Sequence, residues 1–262
     1  MYTRKRLVQA AADCCSTTGD FDMKELQGYR KPLLHTQPEY LAPGYGSTIK
    51  RAPTLAPIAL EPSLSELTGP RFDPRQLGAS SNDLTAGHKA EPIGERIWVS
   101  GRVLDDTGKP VSNTLVEIWQ ANAAGRYLHD GDQHNAPLDP NFTGTGQVFT
   151  DEQGNYRFRT VRPGAYPWRN HHNAWRPAHI HFSLFGPAWS TRLVTQMYFP
   201  SDPLLDFDPI YLAIADEQAR KRLVSALDWE TTEPEQALGY RFDIVLRGRV
   251  STPLQQNKEH GR

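Results

Sequence analysis

Two histidines one residue apart are the first feature of the sequence that could do chemistry. His179 and His181 lie in the run Trp-Arg-Pro-Ala-His-Ile-His-Phe at 175–182, where we predict a β-strand. In a strand the side chains of residues i and i+2 point to the same face, so both imidazoles would face one side while Ile180 faces the other. Two imidazoles arranged in this way can bind one metal ion. The pair alone is weak evidence, because histidines in strands also occur as packed or exposed residues.

Two tyrosines upstream add a second kind of metal ligand. Tyr166 lies in the Pro-containing segment 164–168, and Tyr127 follows a predicted strand that ends at Trp119. A free tyrosine has a pKa of about 10, so its phenolate forms at neutral pH only beside a strongly acidic metal ion. A single tyrosine is usually a packing residue. Two phenolates and two neutral imidazoles would leave a trivalent ion with one residual positive charge, so the four side chains together favour iron(III) over zinc.

Other histidines are weaker candidates for metal ligands. His171 and His172 lie in the loop between the two ligand pairs, and His129 and His134 flank a Gly-Asp turn. Loop side chains are usually solvated, and neighbouring loop residues point in different directions. We therefore expect none of the four to bind the metal, and leave open that His129 or His134 lines the mouth of the pocket.

The elements that must hold these residues indicate an all-β fold with a β-sandwich core. From Ile97 onward, short alternating runs are separated by Gly, Pro, Asp and Asn, which is typical of a sandwich. One short helix near the C-terminus is predicted from Asp216 to about Leu227, with Ala226 and Leu227 on its apolar face. The predicted strands lie at residues 97–103, 115–119, 156–161, 179–184, 193–199 and 241–246.

The chain is predicted to have one folded domain between two extensions. Residues 1–94 form a long irregular N-terminal segment, residues 95–250 the iron-binding catalytic sandwich, and residues 251–262 a C-terminal tail. The N-terminal segment is rich in Pro, Gly, Ser and Thr and has no sustained period of 2 or 3.6, so it should run over another surface. A short helix within it is predicted to begin at Ser63, where Ser-Leu-Ser-Glu has the spacing of a capping box.

Composition excludes several classes of partner. The 29 basic and 30 acidic residues nearly cancel, so the chain has no excess charge to attract nucleic acid or an anionic membrane. No run approaches the roughly 18 apolar residues that a membrane-spanning helix needs. The basic N-terminus is followed by only a short apolar run, and the two cysteines, Cys14 and Cys15, are adjacent. We therefore expect a cytoplasmic protein without disulfides.

The motifs around the candidate ligands resemble the β-subunit family of the protocatechuate 3,4-dioxygenases, which are intradiol ring-cleaving enzymes. The resemblance extends from about Pro43 to Arg249, and the first forty or so residues do not match. The motifs that carry it are Pro-Ile-Gly-Glu-Arg at 92–96, Gly-Lys-Pro at 108–110, Trp-Gln-Ala-Asn at 119–122, Ala-Pro-Leu-Asp-Pro-Asn-Phe at 136–142, Tyr-Pro-Trp-Arg-Asn at 166–170, Arg-Pro-Ala-His-Ile-His-Phe at 176–182, and Tyr-Arg-Phe-Asp-Ile-Val-Leu-Arg-Gly at 240–248.

The resemblance implies a role for each candidate ligand. Tyr127 and His179 would be the equatorial ligands of one mononuclear non-heme iron(III) ion, and Tyr166 and His181 would be its axial ligands. Tyr166 is the ligand expected to leave the metal when substrate binds, and its freed phenolate would accept a proton from the substrate. Tyr127 is expected to stay bound throughout.

The resemblance also implies residues around the metal. Arg176 and Gln196 match the active-site arginine and glutamine of the family, and the alternatives for them are a surface salt bridge and a solvated strand residue. Tyr45 resembles the tyrosine that contacts the substrate, and Trp119 and Trp168 resemble aromatic walls of the pocket. For Trp119, ordinary core packing is an open alternative.

The implied reaction is cleavage of protocatechuate (3,4-dihydroxybenzoate) by O2 to 3-carboxy-cis,cis-muconate, a step of aromatic catabolism in the β-ketoadipate pathway. The family further implies a homologous α subunit in a hetero-oligomer. The nearest alternative is a catechol or hydroxyquinol 1,2-dioxygenase with the same four ligands, but such enzymes carry an N-terminal helical dimerisation region, whereas residues 30–94 are Pro-rich. An alternative of another class is a non-catalytic, prealbumin-like β-sandwich binding module, which would explain the core but not the ligands.

Overall fold

Two β-sheets packed face to face form the body of the protein in the computed structural model, which describes residues 32–55, 58, 81–168, 172, 175–185 and 192–255. The strands are β1 (Arg96–Leu104), β2 (Leu115–Gln120), β3 (Thr145–Phe149), β4 (Asn155–Val161), β5 (Tyr166–Pro167), β6 (Trp175–Arg176), β7 (His179–Phe185), β8 (Arg192–Tyr198), β9 (Ala226–Leu227), β10 (Leu238–Arg241) and β11 (Ile244–Val245). The helix predicted at Ser63 and the cysteine pair lie outside the described residues.

Short helices complete the described secondary structure. They are α1 (Ser47–Arg51), α2 (Pro209–Leu212) and α3 (Glu217–Lys221), and a single 3-10 turn spans Leu205–Phe207. Each of these helices has at most five residues. None of the helices that can be described is long and apolar enough to cross a membrane.

The first sheet is built around β1. Strand β4 pairs antiparallel with β1, while β10 and β11 pair parallel with successive parts of it, and β9 pairs antiparallel with β10. The second sheet is fully antiparallel in the order β3-β2-β7-β8. Strands β5 and β6 form a separate two-stranded ribbon that carries Tyr166 opposite Arg176.

Alternating side chains fill the space between the two sheets. Ile97, Val99 and Val103 of β1 are buried, as the sequence pattern predicts, and Phe158 of β4 packs against Phe182 of β7 at 5.9 Å between ring centroids. A side chain of this kind contributes about 1.5–3 kcal/mol when it is fully buried. The core therefore holds the second sheet, and with it β7, in a fixed position.

Strand β7 is buried on both of its faces. Ile180 and Phe182 point into the core, and the alternation of the strand directs His179 and His181 to the opposite, outer face of the second sheet. All seven residues of β7 are nonetheless buried, because other segments of the chain cover that outer face. The two histidines are thus carried by the central scaffold in a site shielded from water.

The all-β prediction is confirmed, but the predicted C-terminal helix ends too late. Asp216 does cap the helix, since its carboxylate accepts a hydrogen bond from the backbone N–H of Ala219 at 2.6 Å. Helix α3 ends at Lys221, and Ala226 and Leu227 form β9 instead. The physical reason is a competing partner for the backbone: Tyr198 of β8 pairs with Leu223 and Ser225 and draws the chain out of the helix.

The predicted strand at 241–246 is also wrong in its bounds. It is divided into β10, which begins at Leu238, and β11, which begins at Ile244. The interruption lies at Asp243. Its carboxylate accepts a hydrogen bond from the backbone N–H of Arg102 at 2.9 Å, in place of a backbone hydrogen bond between the strands. A polar side chain has here displaced the regular pairing.

The described parts of both extensions are hydrogen-bonded to the sandwich. The backbone N–H of Leu84 donates to the carbonyl of Arg159 at 2.9 Å, and that of Gln255 donates to the carbonyl of Val194 at 2.7 Å. These contacts do not decide where one segment ends and the next begins, because an extension can pack on the sandwich and still be a separate segment. The domain boundaries at residues 94 and 250 therefore stay a prediction.

Candidate metal centre

The four predicted ligands lie together on the outer face of the second sheet. The phenol oxygen of Tyr127 is 3.1 Å from Nε2 of His181, and that of Tyr166 is 3.4 Å from Nε2 of His179. The centroids of the two imidazoles are 4.8 Å apart, and those of the two phenol rings 5.4 Å apart. A metal ion bound about 2.0–2.2 Å from N and O donors holds adjacent donors roughly 3 Å apart. The separations in the structure therefore fit a shared ion.

Two glycines set the distance between the tyrosines. Gly125 has a φ of +78°, and a Cβ on it would lie 2.2 Å from the carbonyl oxygen of Ala165, next to Tyr166. A Cβ on Gly164 would lie 2.6 Å from the backbone nitrogen of Gly125. The loop that carries Tyr127 can therefore touch the segment that carries Tyr166 only because neither glycine has a side chain.

Gly125→Ala should lower the metal content of the purified protein, because the added methyl group must push the two tyrosine-bearing segments apart. Gly108→Ala is a matched control, since Gly108 has a φ of +83° but open space around its Cβ position. Both variants place an alanine at a positive φ, which costs about 1–2 kcal/mol of backbone strain, but only Gly125→Ala also displaces the predicted ligands. Metal per chain measured by elemental analysis checks this. Equal metal content in the two variants would show that the contact between the segments does not place the ligands.

Hydrogen bonds orient both imidazoles toward the tyrosines. Nδ1 of His179 lies 2.7 Å from the carbonyl oxygen of Pro177, and Nδ1 of His181 lies 3.0 Å from the side-chain oxygen of Gln255. These oxygens accept hydrogen bonds, so each Nδ1 carries the proton and each Nε2 presents a lone pair. Burial, reinforced by the charge of Arg176, lowers the pKa of His179 well below its usual value and that of His181 to about 3. Both rings are therefore neutral and available as metal ligands.

The environment of Tyr127 requires a strongly acidic cation if this residue is to act as a ligand. Burial raises the pKa of Tyr127 well above its usual value, and the neighbouring Tyr166 adds to the effect, while Arg176 opposes it. The protein alone thus keeps Tyr127 protonated. No group of three or more His, Cys, Asp or Glu side chains that could hold a metal occurs among the described residues. A metal at this position would depend on phenolate oxygen.

A buried ion pair fixes Arg176 beside the ligands. Asp208, which is fully buried, accepts hydrogen bonds from Nη2 of Arg176 at 2.7 Å and from its Nε at 3.3 Å. Nη2 also donates to the side-chain oxygen of Gln196 at 2.7 Å, and it lies 3.1 Å from the phenol oxygen of Tyr198. Burial lowers the pKa of Arg176, but the Asp208 carboxylate outweighs it, and the net pKa lies well above the usual value. Arg176 is therefore a permanent cation.

One nitrogen of Arg176 faces the ligands. Nη1 is 3.0 Å from Nε2 of His179 and 3.4 Å from the phenol oxygen of Tyr166. The lone pair of His179 that meets this cationic group is the one that a metal ion would use. Because Asp208 balances the charge of Arg176, the two phenolates stay available to balance the charge of a metal.

An aromatic-walled cavity of about 900 Å³ opens beside the ligands. Tyr127, Tyr166 and His181 line it together with Trp119 and Trp168. Trp119 stacks on the imidazole of His181, with ring centroids 4.7 Å apart and planes within 4°. The contact ties Trp119 to the ligand cluster rather than to the core between the sheets.

Two further predicted residues, Tyr45 and Gln196, are buried and do not line this cavity. Tyr45 is 2% exposed and packs against Trp168 at 5.2 Å between centroids, while Gln196 lies in the hydrogen-bonded group around Arg176. His129 and His134 both line the cavity, His172 is exposed, and His171 lies outside the described residues.

Sequence reasoning missed three residues of the site. Tyr198 could have been found, because it lies two residues after Gln196 on the same face of β8. Asp208 precedes a proline and caps α2, which indicates a helix start but not the ion pair with Arg176. Gln255 lies in a segment without any strand pattern, so nothing in the sequence signals its contact with His181.

Two family models match successive stretches of the sequence. One described as "Dioxygenase" matches residues 67–248, which is more than half of the chain, and one described as "Protocatechuate 3,4-dioxygenase beta subunit N terminal" matches residues 29–63. The second match begins before Pro43, so the similarity reaches further toward the N-terminus than the sequence motifs indicate.

Named relatives agree with these matches. The protocatechuate 3,4-dioxygenase beta chain of Burkholderia cepacia is 58% identical over 223 residues, covering 84% of this chain and 94% of that protein. The protocatechuate 3,4-dioxygenase alpha chain of Pseudomonas putida is 30% identical over 166 residues, covering 63% of this chain and 77% of that protein. Among solved structures, the hydroxyquinol 1,2-dioxygenase of Pseudomonas putida DLL-E4 has a TM-score of 0.50 at 22% identity, covering 79% of this chain and 73% of that chain. This last likeness shows the fold alone.

Proposed function

The chain belongs to the family of intradiol ring-cleaving dioxygenases, and on this premise we propose that it is the β chain of a protocatechuate 3,4-dioxygenase. Its reaction is the cleavage of 3,4-dihydroxybenzoate by O2 between the two hydroxylated carbons, giving 3-carboxy-cis,cis-muconate in the β-ketoadipate pathway of aromatic catabolism. The observation that carries the proposal is the pairing of two phenol oxygens with two neutral imidazoles at 3.1 and 3.4 Å.

The donor chemistry supports mononuclear non-heme iron(III) as the cofactor. Tyr127, Tyr166, His179 and His181 would hold it. A phenol gives up its proton at neutral pH only to an ion of high charge density, and two neutral imidazoles add no charge of their own. Bound iron(III) would supply Lewis acidity and draw electron density from the catecholate, which makes a ring carbon reactive toward O2.

Of the two tyrosines, Tyr166 is the one whose neighbours would stabilise it after it leaves the metal. Its phenol oxygen lies 3.4 Å from Nη1 of Arg176, so a freed phenolate would keep a cationic partner. From there it would accept one of the two catechol protons as a general base. Tyr127 lies beside His181 instead and would remain in place.

Arg176 would stabilise the reacting ring. Its guanidinium is held by Asp208 and Gln196 before substrate arrives, so no reorganisation is needed when negative charge builds up on carbon. Trp168 contacts both the guanidinium, 5.4 Å from its ring centroid, and Tyr45, at 5.2 Å between centroids, and it would form one wall for the substrate ring. We assign Trp119, which lines the cavity, to the same substrate-binding group, while Tyr45, which is buried against Trp168, would act through that wall.

We infer that a homologous α chain completes the assembly. The relative at 58% identity is named a beta chain, and an alpha chain aligns with this sequence at 30% identity. The described part of the N-terminal segment exposes apolar side chains, including Leu34, Leu55 and Ile58 at 82–85% exposure. Such residues clustered in one segment are suited to contact with a partner. The cytoplasmic location expected from the sequence stays a prediction.

The alternatives explain less of the molecule. The match of residues 29–63 to a β-subunit N-terminal model supports protocatechuate as substrate over catechol or hydroxyquinol. A non-catalytic binding module would have no need of four metal donors beside a buried arginine.

The substrate is tested with the purified complex of this chain and a co-expressed α chain. We expect a visible tyrosinate-to-iron(III) absorption and higher kcat/KM for 3,4-dihydroxybenzoate than for catechol or hydroxyquinol, followed as O2 uptake. Catechol turnover equal to or above that of 3,4-dihydroxybenzoate would overturn the choice of substrate. A colourless protein that takes up no iron on reconstitution would overturn the proposal that the protein is an iron-dependent enzyme.

A further inference from the structure

We propose that Gln255 is a positioning residue of the metal centre, which selects the tautomer of His181 that can bind a metal. The proposal rests on the proposed function, in that the cation is taken to be iron(III). Gln255 belongs to residues 251–255, the C-terminal strap, which the sequence alone assigns to a tail. Its side-chain oxygen lies 3.0 Å from Nδ1 of His181.

The C-terminal strap is anchored by hydrogen bonds to two other parts of the chain. Its backbone pairs with the second sheet, where Thr195 donates through its hydroxyl to the carbonyl of Pro253 at 2.7 Å. It also pairs with the N-terminal segment, where the oxygen of Gln37 accepts from the backbone of Leu254 at 2.8 Å and its nitrogen donates to Ser251 at 3.0 Å. The strap is therefore held firmly enough to place one side chain against the imidazole.

Two glutamines compete for the same nitrogen of His181. Nε2 of Gln196 is 3.5 Å from Nδ1 of His181, and this group is a hydrogen-bond donor. Its orientation is set, because its oxygen already accepts from Arg176 and from Tyr198, each at 2.7 Å. If Gln196 alone faced Nδ1, the favoured tautomer would carry its proton on Nε2, which then could not bind a metal.

Gln255 favours the tautomer of His181 that has its proton on Nδ1. It offers an oxygen at 3.0 Å, shorter than the 3.5 Å contact with Gln196, and an oxygen requires the proton to be on Nδ1. The lone pair of Nε2 then points to the phenol oxygen of Tyr127, 3.1 Å away. Partners that fix a ligating histidine in this way typically contribute about 10–100-fold to metal affinity or activity.

The test is the rate at which the iron-loaded complex loses iron to an excess of chelator. Gln255→Met keeps the length of the side chain but removes the acceptor oxygen, and we expect iron loss to be about 10–100-fold faster. Gln255→Glu keeps an acceptor oxygen and should lose iron at close to the wild-type rate. Gln236→Met, at an exposed glutamine outside the site, is the matched control and should equal wild type.

The outcomes separate a positioning role from a merely structural one. If Gln255→Met retains iron like wild type, or if Gln255→Met and Gln255→Glu lose it equally fast, Gln255 does not select the tautomer. Thermal unfolding of the metal-free forms shows whether the Met variant is folded, and its Tm should stay near that of Gln255→Glu. The readout is metal retention, so a wild-type complex that holds iron without cleaving 3,4-dihydroxybenzoate would refute the proposed function separately.

Discussion

Asp208→Ala is expected to lower the free energy of unfolding by about 3–5 kcal/mol, because it leaves the buried charge of Arg176 without its partner. Asp208 is 0% exposed and Arg176 2% exposed, and the arginine cannot escape the penalty by losing its proton. The carboxylate also lies 2.9 Å from the phenol oxygen of Tyr198 and caps α2 by accepting from the backbone N–H of Ile210. Chemical denaturation of the metal-free protein measures the change.

The matched control for this prediction is a second ion pair of the same chain. Glu217 and Lys221 lie 2.7 Å apart on α3, but both are exposed and screened by water, so Glu217→Ala should leave the free energy of unfolding close to that of the unsubstituted protein. In the loaded complex, Asp208→Asn should reduce turnover more than iron content, because it frees Arg176 without removing a ligand. A loss of stability below 1 kcal/mol in Asp208→Ala would mean that Arg176 finds another partner or is hydrated.

Tyr166→Phe is expected to lower kcat by about 10²–10⁴-fold, the usual contribution of a positioned general base. The variant loses both the ligand that would be released and the oxygen that would receive a substrate proton. Stopped-flow absorption should show the visible band shifted before substrate is added. It should then show a slowed formation of the enzyme-substrate complex, since proton removal from the catechol has lost its acceptor.

Tyr127→Phe should behave differently, because Tyr127 is predicted to stay bound. We expect this variant to lose both iron affinity and the visible absorption band. Tyr40→Phe, at a tyrosine that is 63% exposed, is the control and should change neither. If Tyr166→Phe keeps the wild-type spectrum and turns over within tenfold of wild type, the released ligand has been assigned to the wrong residue.

Much of the sandwich could be predicted from local patterns. The alternation of β1 and the pairing of His179 with His181 on one face depend only on the period of a strand, and the structure shows both. Strand β3 escaped prediction because Thr145–Phe149 is partly exposed and its two apolar residues, Val148 and Phe149, are adjacent, so no alternation marks a buried face. Local patterns are therefore informative for strands with a continuous or alternating set of buried apolar residues, and uninformative for a short, partly exposed edge strand.

Partners distant in sequence could not be predicted. Asp208 meets Arg176 across 32 residues, and Gln255 meets His181 across 74. No spacing rule connects such residues, because the contact exists only after the chain has folded back on the second sheet. The helix end at Lys221 has the same origin, since the pairing of Tyr198 with Leu223 is tertiary and overrides helix propensity.

Strand β7 serves the core with one face and the candidate metal centre with the other. A substitution at Ile180 or at His181 affects one of these faces, but the insertion or deletion of a single residue within the strand would exchange them, placing imidazoles between the sheets and aliphatic groups beside the tyrosines. The length of this strand is therefore far less free to change during evolution than its composition. Relatives that diverge in substrate should differ in the loops around β7 while keeping the number of residues between its two histidines.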